Sequence, residues 1–185
     1  MTVIARKGLT GLTMNDIARE ARCSYGVASF HFKSKEGIIL AALDHMVAEY
    51  DEALNRPGLG HGSPVTRLKA MVDLDFDARI SNAERVAVWS AFWAESARNP
   101  EYRRRCAQLK ARYHAFVKKE VAALARERNI RLDPELVART LNAVIDGYWI
   151  SNQVRDTGLA GQKAAKNACF LYLRSIFPDD FWERR

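Results

Sequence analysis

Between residues 24 and 35 the chain gathers hydroxyl, phenol, imidazole and ammonium groups, among them those of Ser24, Tyr25, Ser29, His31 and Lys35. Hydroxyl, phenol and imidazole groups exchange hydrogen bonds with phosphate oxygens and base edges, and an ammonium neutralises a phosphate. This is a set for binding nucleic acid, and it lacks the marks of catalysis. His31, His45, His61 and His114 lie far apart and have no companions at metal-ligand spacing. No Gly-x-Ser-x-Gly elbow or glycine-rich phosphate loop occurs. No catalytic residue, metal or cofactor is therefore expected.

The elements that would position this set can be read from the residues around it. Thr13 is a good N-cap, with the Asp16 carboxylate three residues on, and Ile17, Ala18 and Ala21 form the apolar stripe of a short helix. Arg22-Cys23-Ser24 breaks that pattern, and Ser24 caps a second helix from Tyr25 to His31. Val27, Ala28 and Phe32 are its expected inward positions. Gly26 and Ser29 are small enough to let the helix approach a partner closely. Ser34 then caps a third helix with Lys35 in its first turn, placed to meet a phosphate. Two short helices around a tight turn, the second entering the major groove, is the helix-turn-helix docking mode.

Residues 13 to 37, with the lead-in Gly8-Leu9-Thr10-Gly11-Leu12-Thr13, resemble the N-terminal domain of TetR-type repressors. The resemblance implies that Ser24, Tyr25, Gly26, Val27, Ser29, Phe30 and His31 form the recognition helix, that Lys35 holds the DNA backbone, and that Thr13 contacts a phosphate. It also implies a homodimer whose two heads read a near-palindromic double-stranded operator, with a small molecule in the body releasing it. Two departures stand out. The turn position that is usually glycine is Arg22, which must accept a left-handed backbone or shift the turn. The family's first helix is several turns long, whereas only Met1 to Lys7 precede Gly8 here; a start set too late or a fragment is expected. An all-helical adaptor that has lost DNA binding is the alternative that this shortening favours.

Composition sets the frame. With 185 residues, 48% hydrophobic and 28% charged, the chain can bury a core and fits one head plus one body. No stretch approaches the roughly 18–20 apolar residues of a membrane span and no signal peptide opens the sequence, which points to a cytoplasmic protein. Cys23, Cys106 and Cys169 are odd in number and widely spaced, as suits reduced thiols. The net charge of +7 is unevenly placed: residues 1 to 35 hold six basic and two acidic side chains, while Arg103-Arg104-Arg105 reads as the solvated face of a long helix.

Beyond the head, helices are expected over Lys35 to Asn55, Val65 to Ile80, Ala83 to Arg98, Glu101 to Arg128, Pro134 towards Gly158, and Gly161 to Ile176. The clearest loop is Arg56 to Pro64. No alternating strand pattern occurs, so the fold is expected to be all-α: a helix-turn-helix head over residues 1–50 and a helical-bundle body for effector binding and dimerisation over 51–185. Leu136, Thr140, Ala143, Gly147, Ile150 and Val154 share one helix face, and Ala164, Ala165, Ala168, Phe170, Leu171, Tyr172 and Leu173 make the last helix apolar on more than one side. These two helices are the expected dimer interface, with a monomer core as the alternative.

Trp89, Phe92, Trp93, Glu95, Tyr113, Tyr148 and Trp149 are the candidate effector residues. The stretches Val88 to Glu95 and Asp146 to Trp149, with Asn99-Pro100-Glu101, resemble the betaine-pathway (BetI-like) branch of the family, which responds to choline. Aromatic faces beside a carboxylate suit a quaternary ammonium or related amine. Aromatics at helical spacing are also ordinary core residues, and both readings stand at this level.

Overall fold

The computed structural model describes residues 1–54, 62–155 and 157–182, and these form ten helices and no strand. The fold is all-α, as expected. In chain order the helices are α1 (Thr2–Gly11), α2 (Met14–Glu20), α3 (Tyr25–Phe32), α4 (Lys35–Leu54), α5 (Pro64–Asp75), α6 (Ala78–Ser81), α7 (Ala83–Ser96), α8 (Pro100–Glu127), α9 (Pro134–Arg155) and α10 (Gly158–Ile176). Of the expected Arg56 to Pro64 loop, Arg56 to His61 lie outside the described residues, as does Asn55 at the end of the expected connector.

Local chemistry sets the breaks. Asn99 Oδ1 accepts the backbone N–H groups of Glu101 and Tyr102, so α8 starts on a side-chain cap with Pro100 in its first turn. Asp133 and Pro134 start α9 the same way. The single helix expected over Val65 to Ile80 is instead two. The Asp77 side chain accepts from the Arg79 N–H at 2.8 Å, and this local bond opens α6 where α5 would have continued. The arginine run is not simply a solvated face. Arg103 donates to the Ser96 and Ala97 carbonyls at the end of α7, Arg104 pairs with Glu101, and Arg105 pairs with Glu101 and Asp44.

The chain divides into two compact units. The first joins Met1–Tyr50 to Ala83–Gln108. In it α1 packs on α7, α2 packs on α3, and Ile4, Leu12, Ile39, Leu43, Met46, Trp89 and Phe92 are buried. The second joins Asp51–Asn82 to Leu109–Arg185. In it α9 packs on α10 and α10 on α5, over a core that includes Leu68, Met71, Val117, Val121, Leu141, Cys169, Leu173 and Phe177. Helices α4 and α8 each continue from one unit into the other.

Candidate nucleic-acid interface and effector residues

Thr13 and Asp16 build the entry to the motif. Thr13 Oγ1 accepts from the Asp16 N–H at 3.1 Å, and Asp16 Oδ2 accepts from the Thr13 N–H at 3.2 Å and from its hydroxyl at 2.8 Å. This is a complete capping box. Asp16 also accepts from Lys7 at 2.7 Å and from Arg19 at 2.6 Å. The Lys7 ammonium, and next the Thr13 hydroxyl, hold the Asp16 carboxyl down at about 2. Thr13 is thus engaged in the cap of α2.

Between α2 and α3 the backbone turns at Arg22, whose φ of 53° is the left-handed conformation that a non-glycine residue at this place requires. Ser24 Oγ accepts from the Val27 N–H at 3.2 Å and starts α3. This short helix carries a run of exposed apolar side chains: Phe30 is 82% exposed, Tyr25 55%, Val27 48% and Phe32 42%. Val27 and Phe32 therefore do not point inward as expected; only Ala28 of α3 is buried. The reason is angular. With about 100° per residue, Val27 lies a full 100° from Ala28; Phe32 lies only about 40° from it but is the last residue of an eight-residue helix that rests on one small side chain.

After α3 the chain reverses at Lys33 (φ 58°), and Gly37 lets the start of α4 approach the end of α3: a Cβ on Gly37 would lie 2.4 Å from the Phe32 carbonyl oxygen. Gly26, Ser24 and His31 are exposed and Ser29 is half-buried; His31 touches the rings of Phe30 and Phe32. Lys35 donates to the Thr10 carbonyl at 2.9 Å, at the C-terminal end of α1. The expected contact residues other than Thr13 thus lie on α3 or within three residues of its end.

The candidate effector residues are of two kinds. In the first unit Trp89 and Trp93 stack with ring centroids 6.4 Å apart, the fully buried Phe92 meets Tyr102 edge-on at 5.4 Å, and Glu95 pairs with Arg98. In the second unit Tyr113 and Trp149 are buried and converge on a residue that the sequence did not single out, Asp75. The Tyr113 hydroxyl donates to Asp75 Oδ2 at 2.5 Å, and Trp149 Nε1 donates to the Asp75 backbone carbonyl at 3.0 Å. Tyr148, beside Trp149, is half-buried. Asp75 is only 2% exposed, and burial together with this neighbouring carboxylate pushes the Cys169 thiol up to about 12. A signal for Asp75 did exist: it continues the Leu68, Met71, Val72 stripe at helical spacing, an acid where the pattern calls for an apolar residue.

Residues 1–42 match the family described as bacterial regulatory proteins, tetR family, and residues 64–178 match the family described as BetI-type transcriptional repressor, C-terminal. The chain belongs to the TetR family. Within it, a similar protein is the HTH-type transcriptional regulator BetI of Serratia proteamaculans (strain 568), 30% identical over 157 residues that span 84% of this chain and 77% of the relative. A transcriptional regulator from Saccharomonospora viridis, solved in complex with choline, shares the fold with a TM-score of 0.81 at 23% identity, over 94% of this chain and 90% of that one. FadR from Bacillus subtilis, solved in complex with stearoyl-CoA, has a TM-score of 0.77 at 17% identity over 94% of each chain. As a TetR-family member with a BetI-type C-terminal region, the protein is a ligand-responsive, DNA-binding transcriptional repressor. Among the described residues no helix is long and apolar enough to cross a membrane.

Proposed function

We propose that the protein binds a near-palindromic operator as a homodimer in the cytoplasm, with α3 in the major groove, and that an organic cation in the body releases it. The observation that supports the DNA-binding side is the exposed face of α3, which is capped by Ser24 and followed by Lys33 and Lys35. Ser24, Tyr25, Gly26, Val27, Ser29, Phe30 and His31 face the groove or its walls, and Lys35 and Thr13 lie towards the phosphates. Residues 1–50 act as the reading head and 51–185 as the sensing and dimerising body.

The dimer reading rests on α9 and α10. Leu136, Val154, Leu159 and Leu171 are 62%, 80%, 78% and 58% exposed, with Ile150 at 48% on the same helix as Val154. Apolar side chains in this number on two packed helices favour burial against a second copy. A monomer in analytical ultracentrifugation at micromolar concentration would overturn it.

The effector reading rests on Asp75. A buried acid whose carboxyl oxygen takes the Tyr113 hydroxyl and whose backbone carbonyl takes the Trp149 indole N–H sets an acidic side chain among aromatic residues, the pairing that suits a quaternary ammonium. The choline in the complex of the Saccharomonospora viridis regulator supports that ligand class, and the stearoyl-CoA of FadR marks an acyl thioester as the competing class. Helix α4 (Lys35–Leu54), which runs across the 50/51 boundary, offers a covalent route from body to head. Coupling requires that the effector bind the operator-free form more tightly. The test is operator affinity by fluorescence anisotropy with choline, betaine aldehyde or stearoyl-CoA present. At least a tenfold weakening by one of the amines is expected; no change with either amine overturns the cationic assignment, and a response to stearoyl-CoA alone replaces it.

A further inference from the structure

The recognition helix has an unusual inventory for a sequence reader. From Ser24 to Phe32 there is no arginine, lysine, asparagine, glutamine, aspartate or glutamate. The side chains that pair bidentately with guanine or adenine in the major groove are therefore absent from α3. What α3 holds outward is apolar. Ala28 is its buried residue, and at 100° per residue Gly26 and Phe30 lie on the opposite side; Phe30 is 82% exposed, the most exposed large apolar side chain among the described residues. Gly26, one turn earlier on the same side, adds no bulk that would keep the helix from the floor of the groove. Val27, 48% exposed, lies beside this stripe.

One base in the major groove offers an apolar group, the C5-methyl of thymine. We infer that α3 reads its half-site chiefly through apolar contact of Phe30 with thymine methyl groups, so that Phe30 is a specificity-determining residue and the operator core contains thymine where it lies. This rests on the reading of α3 as the groove helix. Hydroxyl and imidazole groups of Tyr25, Ser29 and His31 then add single hydrogen bonds around a contact that is itself hydrophobic. The flanking lysines hold phosphates, which carry no sequence information.

Deoxyuridine is the probe, since it keeps the Watson–Crick edge of thymine and lacks only the methyl. Operator sequences are first selected from random duplexes with the full chain. Thymines of the selected half-site are then replaced by deoxyuridine one position at a time, symmetrically in both half-sites, and affinities are measured for the wild type and for Phe30→Ala. At one or two positions the wild type should weaken about fourfold for each methyl lost, the equivalent of ~0.8 kcal/mol per buried carbon. Phe30→Ala should bind thymine and uracil duplexes alike at those positions. Its salt dependence should equal that of the wild type, since no phosphate contact is lost. Its far-ultraviolet circular dichroism and melting temperature report that the fold is intact.

Equal wild-type affinity for thymine and uracil at every position overturns the inference while leaving α3 as the DNA-binding helix. So does a half-site core without thymine, or a Phe30→Ala variant that keeps the wild-type discrimination. No enriched sequence at all removes the reading of α3 itself, and the inference with it.

Discussion

The face of α3 and the surroundings of Asp75 use the same few residue types in opposite ways. On α3, aromatic side chains stand in water: Phe30 is 82% exposed and meets the ring of its neighbour His31 edge-on, and Tyr25 is more than half exposed. Around Asp75, a tyrosine and a tryptophan are buried and spend their polar atoms on one aspartate. The first arrangement contributes little to stability and keeps its surface for a partner. The second is part of the core, so any binding role it has is tied to folding. A surface that waits for a partner and a polar cluster that the core depends on should respond differently to the same class of substitution.

Tyr113→Phe probes that difference where the effect is largest. It keeps the ring in the core and removes the hydroxyl that donates to the buried Asp75 carboxylate. Leaving a buried acceptor without its donor costs about 2 kcal/mol, so a loss of that size is expected in urea unfolding. A loss below 0.5 kcal/mol would place Asp75 outside the load that the core carries and break the contrast.

The head contains its own rigid points, away from the exposed face. Gly37→Ala would set a Cβ 2.4 Å from the Phe32 carbonyl oxygen, backbone against backbone. Something must shift, and a destabilisation of about 1–3 kcal/mol is expected, read as a lower melting temperature. Thr13→Ala opens the capping box of α2 and should cost about 1 kcal/mol. If either variant melts like the wild type, the motif is not braced where these contacts lie.

Asp16 adds a pH dependence to the same brace. Its folded pKa of about 2 lies below the ordinary 3.8, so its tie to Lys7 and Thr13 stabilises fully above about pH 4 and is lost as pH falls through about 2. Thermal unfolding followed between pH 5 and pH 2 should show a drop that Asp16→Asn flattens. An unchanged acid profile in that variant would assign the drop to other carboxylates, of which Glu101 and Glu135, each held at about 2 by arginine or histidine partners, are the first to test.

How far each region could be read from the sequence follows from how each is assembled. The motif lies within 25 consecutive residues and announces itself through caps: Thr13, Ser24 and Ser34 each accept a backbone N–H, as their types and positions required. Even the left-handed backbone at Arg22 was foreseeable from its place in the turn. What failed there was orientation, because Val27 and Phe32 are apolar and a helix this short has almost no interior to receive them. Asp75, Tyr113 and Trp149 come from α5, α8 and α9, and no local spacing brings three such helices together. Only the acid within the Leu68, Met71, Val72 stripe hinted that something polar awaited it in the core. The break between α5 and α6 was hidden for a related reason: a single aspartate bond outweighed a helical pattern that otherwise ran on.

The smallest expected effect is the most telling for the contrast. Phe30→Ala removes a large aromatic ring, a change that costs about 3–5 kcal/mol in a core. Here the ring is 82% exposed in the free protein, so almost none of that transfer energy is realised on folding. Alanine is also the better helix former, which offsets part of the remainder. The variant should therefore unfold within about 0.5 kcal/mol of the wild type. A large loss would mean that Phe30 is packed in the free protein, and α3 would then present no ready apolar surface to a groove. A null result leaves the ring with no role in holding the fold, and the reason for an aromatic side chain at that position must then lie in what α3 binds.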